Sequence, residues 1–355
     1  MKKSHLILSS VLLLLVTLSG CTVPGLTSKP VTEAALLLSS DAGTNWQKYQ
    51  TFVSPAGVKT FADASVVDAT IDPQDPNAFY LATEQYGLLY TFDAGKVWQQ
   101  ALSNIGRVNS VVVDPKNTCT IYATILNRIY KTSDCARHWT YQLIEAKTRP
   151  NDQIVTIQLD PIDTSKLYSG SSGGAMFVSQ DAGASWSVIN YFKDQVEKII
   201  VNPKNNNIIY VATTKAGLFK SVDAGNSWEQ VFTSDIIKSF PQIREYRDLT
   251  INPTVDDGLV YASKTLFFVT EDGGQTWRNI NLLTPPKSTD IRAVAINPLD
   301  KNNLFVTSPG ILYVTNDGGQ TWSTKKIISA RNPKHLLLTG DRFNVLFLAV
   351  QGVLK

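Results

Sequence analysis

Five short stretches hold the side chains best suited to chemistry. Each stands just ahead of an apolar run that ends in Asp-Pro or Asn-Pro. They are Arg107 in GRVNSVVVDP, Asp152 and Gln153 in NDQIVTIQLDP, Asp194 and Lys198 in KDQVEKIIVNP, Arg244 to Asp248 in REYRDLTINP, and Asp290 with Arg292 in TDIRAVAINP. Arginine forks suit anionic groups. Carboxylates suit acid–base work, and a tyrosine beside a carboxylate suits nucleophilic attack. The densest cluster is Arg244, Glu245, Tyr246, Arg247 and Asp248. Glu245 and Tyr246 are adjacent, so on a strand they point to opposite sides and do not form a working pair. Tyr86, Tyr191 and Phe192 are candidates for aromatic surface near the same groups.

Other chemistries lack their parts. The three histidines, His5, His138 and His335, are far apart in sequence and give no metal set or Ser-His-Asp arrangement. GSSGG at 170–174 precedes a strand, not a helix, so it is a turn and no phosphate loop. No metal and no cofactor is expected. The formal charge is +3 with no run of like charges, which gives no signal for nucleic acid.

The elements that must position these groups are repeats. All seven tryptophans close one box: SSDAGTNW, TFDAGKVW, TSDCARHW, SQDAGASW, SVDAGNSW, TEDGGQTW and TNDGGQTW. The box aspartates and tryptophans are Asp41 and Trp46, Asp93 and Trp98, Asp134 and Trp139, Asp181 and Trp186, Asp223 and Trp228, Asp272 and Trp277, and Asp317 and Trp322. Their spacings are 52, 41, 47, 42, 49 and 45 residues. In phase with them run Asp72, Asp114, Asp160, Asn202, Asn252 and Asn297, each before a proline. Four short strands per period of about 40–45 residues is the pattern of a β-propeller blade. The sequence therefore predicts an all-β chain: one seven-bladed propeller of four-stranded blades over residues 35–355. Six blades end at boxes two to seven. The seventh is expected to be shared by the two termini, with ALLLSS (35–40) and GVLK (352–355) both available as its third strand. Binding is expected on the mouth opposite the boxes.

The boxes resemble the Asp-box, or bacterial neuraminidase repeat, of sialidases, sortilin-type propellers, xyloglucan-cleaving glycosidases and photosystem II assembly/stability factors. The resemblance covers residues 36–355 and implies that the boxes are structural and lie away from the active face. Asn45, Val97, Ala136 and His138 depart from the pattern. The sialidase resemblance would ask for three arginines, a Tyr–Glu pair and an acid. Arg107, Arg247, Arg292, Tyr246 and Glu245 supply the types, but the Phe/Tyr-Arg-Ile-Pro motif that opens sialidase domains is missing. The xyloglucan-cleaving family carries two propellers. The assembly-factor family, a single seven-bladed Asp-box propeller, is the better match in size and implies a scaffold for a protein partner. A non-catalytic, protein-binding scaffold is therefore expected, with a carbohydrate-binding or glycoside-hydrolase module as the alternative.

Residues 1–20 are expected to be a leader. Lys2 and Lys3 precede an apolar run, Leu6 to Leu18, too short to span a bilayer comfortably. The run ends in LSGC, which resembles the bacterial lipoprotein signal and implies lipidation of Cys21. Residues 21–34 then read as lipidated cysteine and flexible tether. The expected location is the bacterial cell envelope, lipid-anchored and facing the periplasm or the exterior. The other two cysteines, Cys119 and Cys135, fall at the base of one hairpin, and in an oxidising compartment a disulfide between them is expected. Where the other six boxes read Asp-Ala-Gly or Asp-Gly-Gly, this one reads Asp134-Cys135-Ala136.

Overall fold

The computed structural model describes residues 34–145, 151–284, 288–339 and 342–352. The expected leader and Cys21 lie outside them. Among the described residues the strands form seven four-stranded antiparallel sheets and one two-stranded hairpin. The inner strands are Val66–Ile71, Val108–Asp114, Ile154–Leu159, Val196–Val201, Tyr246–Asn252, Ala293–Asn297 and Asn332–Thr339, here blades 1 to 7. Each inner strand lies against the next, and that of blade 7 lies against that of blade 1. Seven blades therefore surround one channel.

The sheet of blade 7 has the order Gln47–Tyr49, Leu36–Ser39, Arg342–Gln351, Asn332–Thr339. Leu36 pairs with both Tyr49 and Ala349, so its third strand comes from ALLLSS. Residues 353–355 of the other candidate lie outside the described residues.

Seven apolar clusters fill the seven gaps between neighbouring blades, and each gap holds one box tryptophan. Trp46 packs with Leu312 and Leu346, Trp98 with Ala35 and Phe61, and Trp228 with Tyr168 and Ile209. Trp139, Trp186, Trp277 and Trp322 occupy the other four. Apolar surface is buried between blades as well as within them, so the ring is held by the same effect that orders each sheet.

The box geometry repeats closely. In the fifth box Ser221 Oγ donates to Asp223 Oδ1 at 2.8 Å and accepts from Gly225 N at 2.8 Å. Asp223 Oδ1 accepts from Ser227 N at 2.8 Å, and Oδ2 accepts from Ser227 Oγ at 2.5 Å. The backbone then turns through two left-handed residues, Ala224 (φ 58°) and Gly225 (φ 94°). Ala224 N donates to Asn207 O, tying the box to the first turn of its own blade. The same link recurs at Ala94, Ala182, Gly273 and Gly318. Boxes and Pro-containing turns thus share one face, and antiparallel order puts the residues ahead of each inner strand on the other.

Cys119 and Cys135 form a disulfide. Their hairpin pairs Ile121 with Thr132, and Cys135 N donates to Cys119 O at 3.1 Å. Two elements were not anticipated. The outer strand after the first box stops at Tyr49, and a separate hairpin follows, Thr51–Ser54 with Gly57–Thr60. Its Phe52 is buried between Phe61 and Tyr86 at 6.4 and 6.0 Å. The loop before blade 5 holds a short helix, Ser234–Ser239, capped by Thr233, and a 3-10 turn, Pro241–Arg244.

Candidate functional site: the channel and the mouth opposite the boxes

The inner strands share a device that sequence reading missed. In six of the seven blades a β-bulge skips one residue near the strand's start, between Val66 and Asp68, Val108 and Ser110, Ile154 and Thr156, Val196 and Lys198, Tyr246 and Asp248, and Pro333 and His335. A bulge bends the strand and re-aims two consecutive side chains. The result is a channel cavity of 390 Å³ lined by charged and polar groups at this level, Asp68, Ser110, Glu197, Lys198, Asp248 and His335 among them. Pro73, Pro115 and Pro161 line its far end, so the cavity runs towards the box face.

The carboxylates of this ring are engaged by the fold. Asp68 accepts from Ser110 Oγ at 2.7 Å, Val111 N at 3.1 Å and Ala69 N at 2.9 Å. His335 Nε2 stands 3.6 Å from Asp68 and 2.9 Å from Val67 O. Burial opposes ionisation of Asp68, but the charges of His335 and Lys198, with the hydrogen bonds from Ser110 and Val111, overcome it and hold the carboxyl below its ordinary range. Burial pushes the imidazolium of His335 down despite the attraction of Asp68. Asp248 accepts from Leu249 N at 2.9 Å and Val294 N at 3.0 Å, stitching blade 5 to blade 6. Glu197 Oε1 accepts from Gln195 at 2.9 Å and Thr214 at 2.7 Å.

The sequence-predicted residues separate into three groups. Asp152 is buried and caps the turn between the second and third strands of its own blade. It accepts from Ser171 and Ser172 at 2.8 Å and from Gly173 N at 2.6 Å. Asp194 does the same with Lys215 N and with Ala216 N at 3.1 Å. These two hold the scaffold. Arg107, Lys198, Tyr246 and Arg247 line the cavity. Arg107 pairs with Glu84 at 3.2 Å, and Asp290 sits between Arg292 and Arg247, the latter at 3.7 Å. Arg244 is exposed at the end of the 3-10 turn, and Glu245 lies 3.9 Å from Lys264, away from Tyr246. Tyr246 touches the channel solvent yet is enclosed by protein. Burial and the charges of Asp248 and Glu197 push its phenol well above the ordinary range.

Asp68, Glu197, Lys334 and His335 were missed as channel residues. Asp68 was readable, since it stands four residues before Asp72, as Lys198 stands four before Asn202. His335 was hidden because blade 7 lacks the Asp/Asn-Pro marker that fixes the phase of the others.

Two family models match parts of the chain. One, described as sortilin, neurotensin receptor 3, covers residues 174–266, and the other, photosynthesis system II assembly factor YCF48, covers residues 241–337. Among solved structures the chain is similar to YCF48 bound to a D1 peptide, at 15% identity over 90% of this chain and 99% of that one, TM-score 0.60. The chain is an Asp-box seven-bladed β-propeller. This propeller is also similar in fold to the GH74 xyloglucanase of Xanthomonas campestris, TM-score 0.66 and 17% identity, with 88% of this chain matching 52% of that one. A curated relative, a probable oligoxyloglucan-reducing end-specific xyloglucanase of Neosartorya fischeri, is 27% identical over 115 residues, 30% of this chain and 14% of the relative. The propeller thus spans about half of the xyloglucanase structure and nearly all of the YCF48 structure.

Proposed function

We propose that the protein is a non-catalytic scaffold of the bacterial cell envelope, held on a membrane through lipidated Cys21, which grips a protein partner on the mouth opposite its boxes. The observation that carries this reading is the state of the channel carboxylates. Asp68, Glu197 and Asp248 are each occupied as acceptors by their own fold. A glycosidase acid needs a carboxyl raised in pKa, and Asp68 is shifted the other way. Tyr246 is kept protonated, and Glu245 is turned towards Lys264. The mouth instead presents ion pairs of mixed sign, Arg107–Glu84 and Arg247–Asp290–Arg292, of the kind that gives register and specificity to a protein interface. The similarity in extent to a single propeller solved with a bound peptide supports the same reading.

The second reading is a carbohydrate-binding or glycoside-hydrolase module, favoured by the xyloglucanase likeness. Crosslinking and capture from intact membranes, with a glycan array run beside it, separates the two. Covalent capture of a defined protein supports the scaffold, and a specific glycan that is also turned over overturns it. Fractionation tests the anchor: Cys21→Ala is expected to move the protein out of the membrane fraction, and an unchanged distribution counts against lipidation.

A further inference from the structure

Blade 2 departs from the way the other blades close over their neighbours' boxes. The residue three places after a box tryptophan lies at the outer strand and covers the box glycine of the next blade. A β-carbon on Gly95, Gly225 or Gly274 would stand 3.1, 2.9 or 2.7 Å from Tyr49, Ile189 or Val231, and Ile280 covers Gly319 in the same way. In blade 6 the residue is Lys325, which donates to Ala42 O at 2.9 Å. In blade 2 it is Gln142, which is exposed. A β-carbon on Gly183 would meet only the Tyr122 ring within 4 Å among the described residues. A groove of 200 Å³ is left there, lined by Tyr122, Ile129, Lys131, Gln142, Ala182 and Gly183.

The strand beside the groove, Thr140–Leu143, is the edge of its sheet, and all four of its residues are exposed. Alternation turns Thr140 and Gln142 to the groove and Tyr141 and Leu143 to the other face. Tyr141 stands 5.3 Å from the Tyr130 ring, with the Arg128 guanidinium 4.7 Å above it. The edges of blades 1, 4, 5 and 6, at Gln99–Ala101, Glu229–Gln230, Arg278–Asn279 and Ser323–Lys326, are largely polar. Blade 3 has an apolar edge, but its Ile189 closes its own gap. An exposed apolar edge is a template for strand pairing. This edge also continues the mouth. Ile144 N donates to Asn127 O at 2.9 Å, and the adjoining Leu126 is exposed, as is Ile105, whose neighbour Gly106 packs on Ile125.

We propose that a protein partner gripped at the mouth runs over the rim of blade 2 as an extended strand, pairs with Thr140–Leu143 and lodges a branched aliphatic side chain in the groove over Gly183. The inference rests on the scaffold reading for the partner's being a protein. The other gaps supply the chemistry of the occupant, since Ile189, Val231 and Ile280 fill the same place. In added-strand recognition the main chain gives affinity, and pockets for alternate side chains give specificity.

The test places a photo-crosslinking residue, one at a time, at Leu143, at Arg107 on the mouth and at Glu229 on the polar edge of blade 4, in the full chain in intact membranes. Adducts of equal mass from 143 and 107, with none from 229, are expected. Mass spectrometry of the 143 adduct should find Ile or Val within two residues of the attachment point. Gln142→Ile should close the groove from within. It should raise the urea midpoint, leave the 107 adduct unchanged and cut the 143 adduct at least about tenfold, the loss of one buried aliphatic side chain. A 107 adduct without one from 143 overturns this inference and leaves the scaffold reading standing, while no adduct from either position overturns both. A 143 adduct of twice the chain's own mass identifies a second copy as the occupant and overturns it. So does a 143 adduct that survives Gln142→Ile at full strength, or a Gln142→Ile chain no more stable than its parent.

Discussion

Val97 is the residue at which a box loses a hydrogen bond. At this position Ser185, Ser227, Thr276 and Thr321 donate a hydroxyl to their aspartate, and Asn45 and His138 donate an amide or ring nitrogen at 2.7 and 2.6 Å. Two of the departures from the repeat pattern thus preserve its chemistry, while Val97 offers Asp93 only its backbone N–H at 2.9 Å. Val97 is 46% exposed, so it has little packing to lose. Val97→Thr is expected to raise stability by about 0.5–1 kcal/mol in urea denaturation, the lower half of the range for one hydrogen bond because the site is wet. The box carboxyls also set an acid limit. Hydrogen bonds from the Ser185 and Ser227 side chains and backbone lower Asp181 and Asp223 to about 2, and the bond from Asn45 N, then its side chain, does the same for Asp41. A carboxyl depressed in the folded state stabilises fully above its unfolded value near 4, and that contribution is lost as pH falls towards 2. Melting temperature should therefore hold down to about pH 4 and fall steeply below it. A flat profile between pH 4 and pH 2 would remove the boxes from the stability account.

The third box shows how an element absorbs an unfavourable residue. Cys135 and Ala136 take the two left-handed positions, at φ 58° and 68°, where the pattern has glycine second. A β-carbon in that region costs roughly 1–2 kcal/mol. The Cys119–Cys135 bond closes a hairpin of sequence separation 16, which in the chain-entropy model contributes about 3 kcal/mol. The double variant Cys119→Ser/Cys135→Ser should lose stability of that order, whereas Ala136→Gly should gain about 1 kcal/mol in the same denaturation assay. Intact mass with and without reductant should differ by about 2 Da, one hydrogen per sulfur. Much at this scale was legible. Alternating β-branched strands between Asp/Asn-Pro turns and boxes fixed the strand order, and hairpin symmetry put the two cysteines together. The inner-strand bulges were not legible, because they need no special residue: Val67, Asn109, Val155, Glu197, Arg247 and Lys334 occupy the skipped position alike. The 51–60 hairpin was not anticipated, and only packing reveals that Phe52 turns inward while Val53 and Val58 face solvent.

For the whole molecule, seven interblade clusters with one indole each make stability a sum over neighbours around a ring. The anchors are unequal, which the repeat itself does not disclose. Trp98 is 1% exposed and packs edge-on against Phe61 at 5.6 Å, whereas Trp139, Trp186, Trp228, Trp277 and Trp322 are only half-buried. Trp98→Ala should therefore cost about 3–5 kcal/mol and Trp322→Ala clearly less, measured by urea denaturation. The hairpin at 51–60 explains the difference, since Phe52 and Phe61 cover the gap between blades 7 and 1. Fold and ring order were thus readable from the repeat, while the candidate site was readable only in part. Repeats reveal what every blade shares, but the channel is built from what each blade does differently.

The central claim is that recognition belongs to the mouth opposite the boxes. The most direct measurement places a photo-crosslinking residue, one at a time, at exposed Arg107 and Arg244 on the mouth and at exposed Lys96 and Asn226 in the boxes, followed by irradiation of intact membranes. A defined partner adduct from positions 107 and 244, with none from 96 and 226, is the predicted result. Adducts from the box positions with none from the mouth would contradict the account.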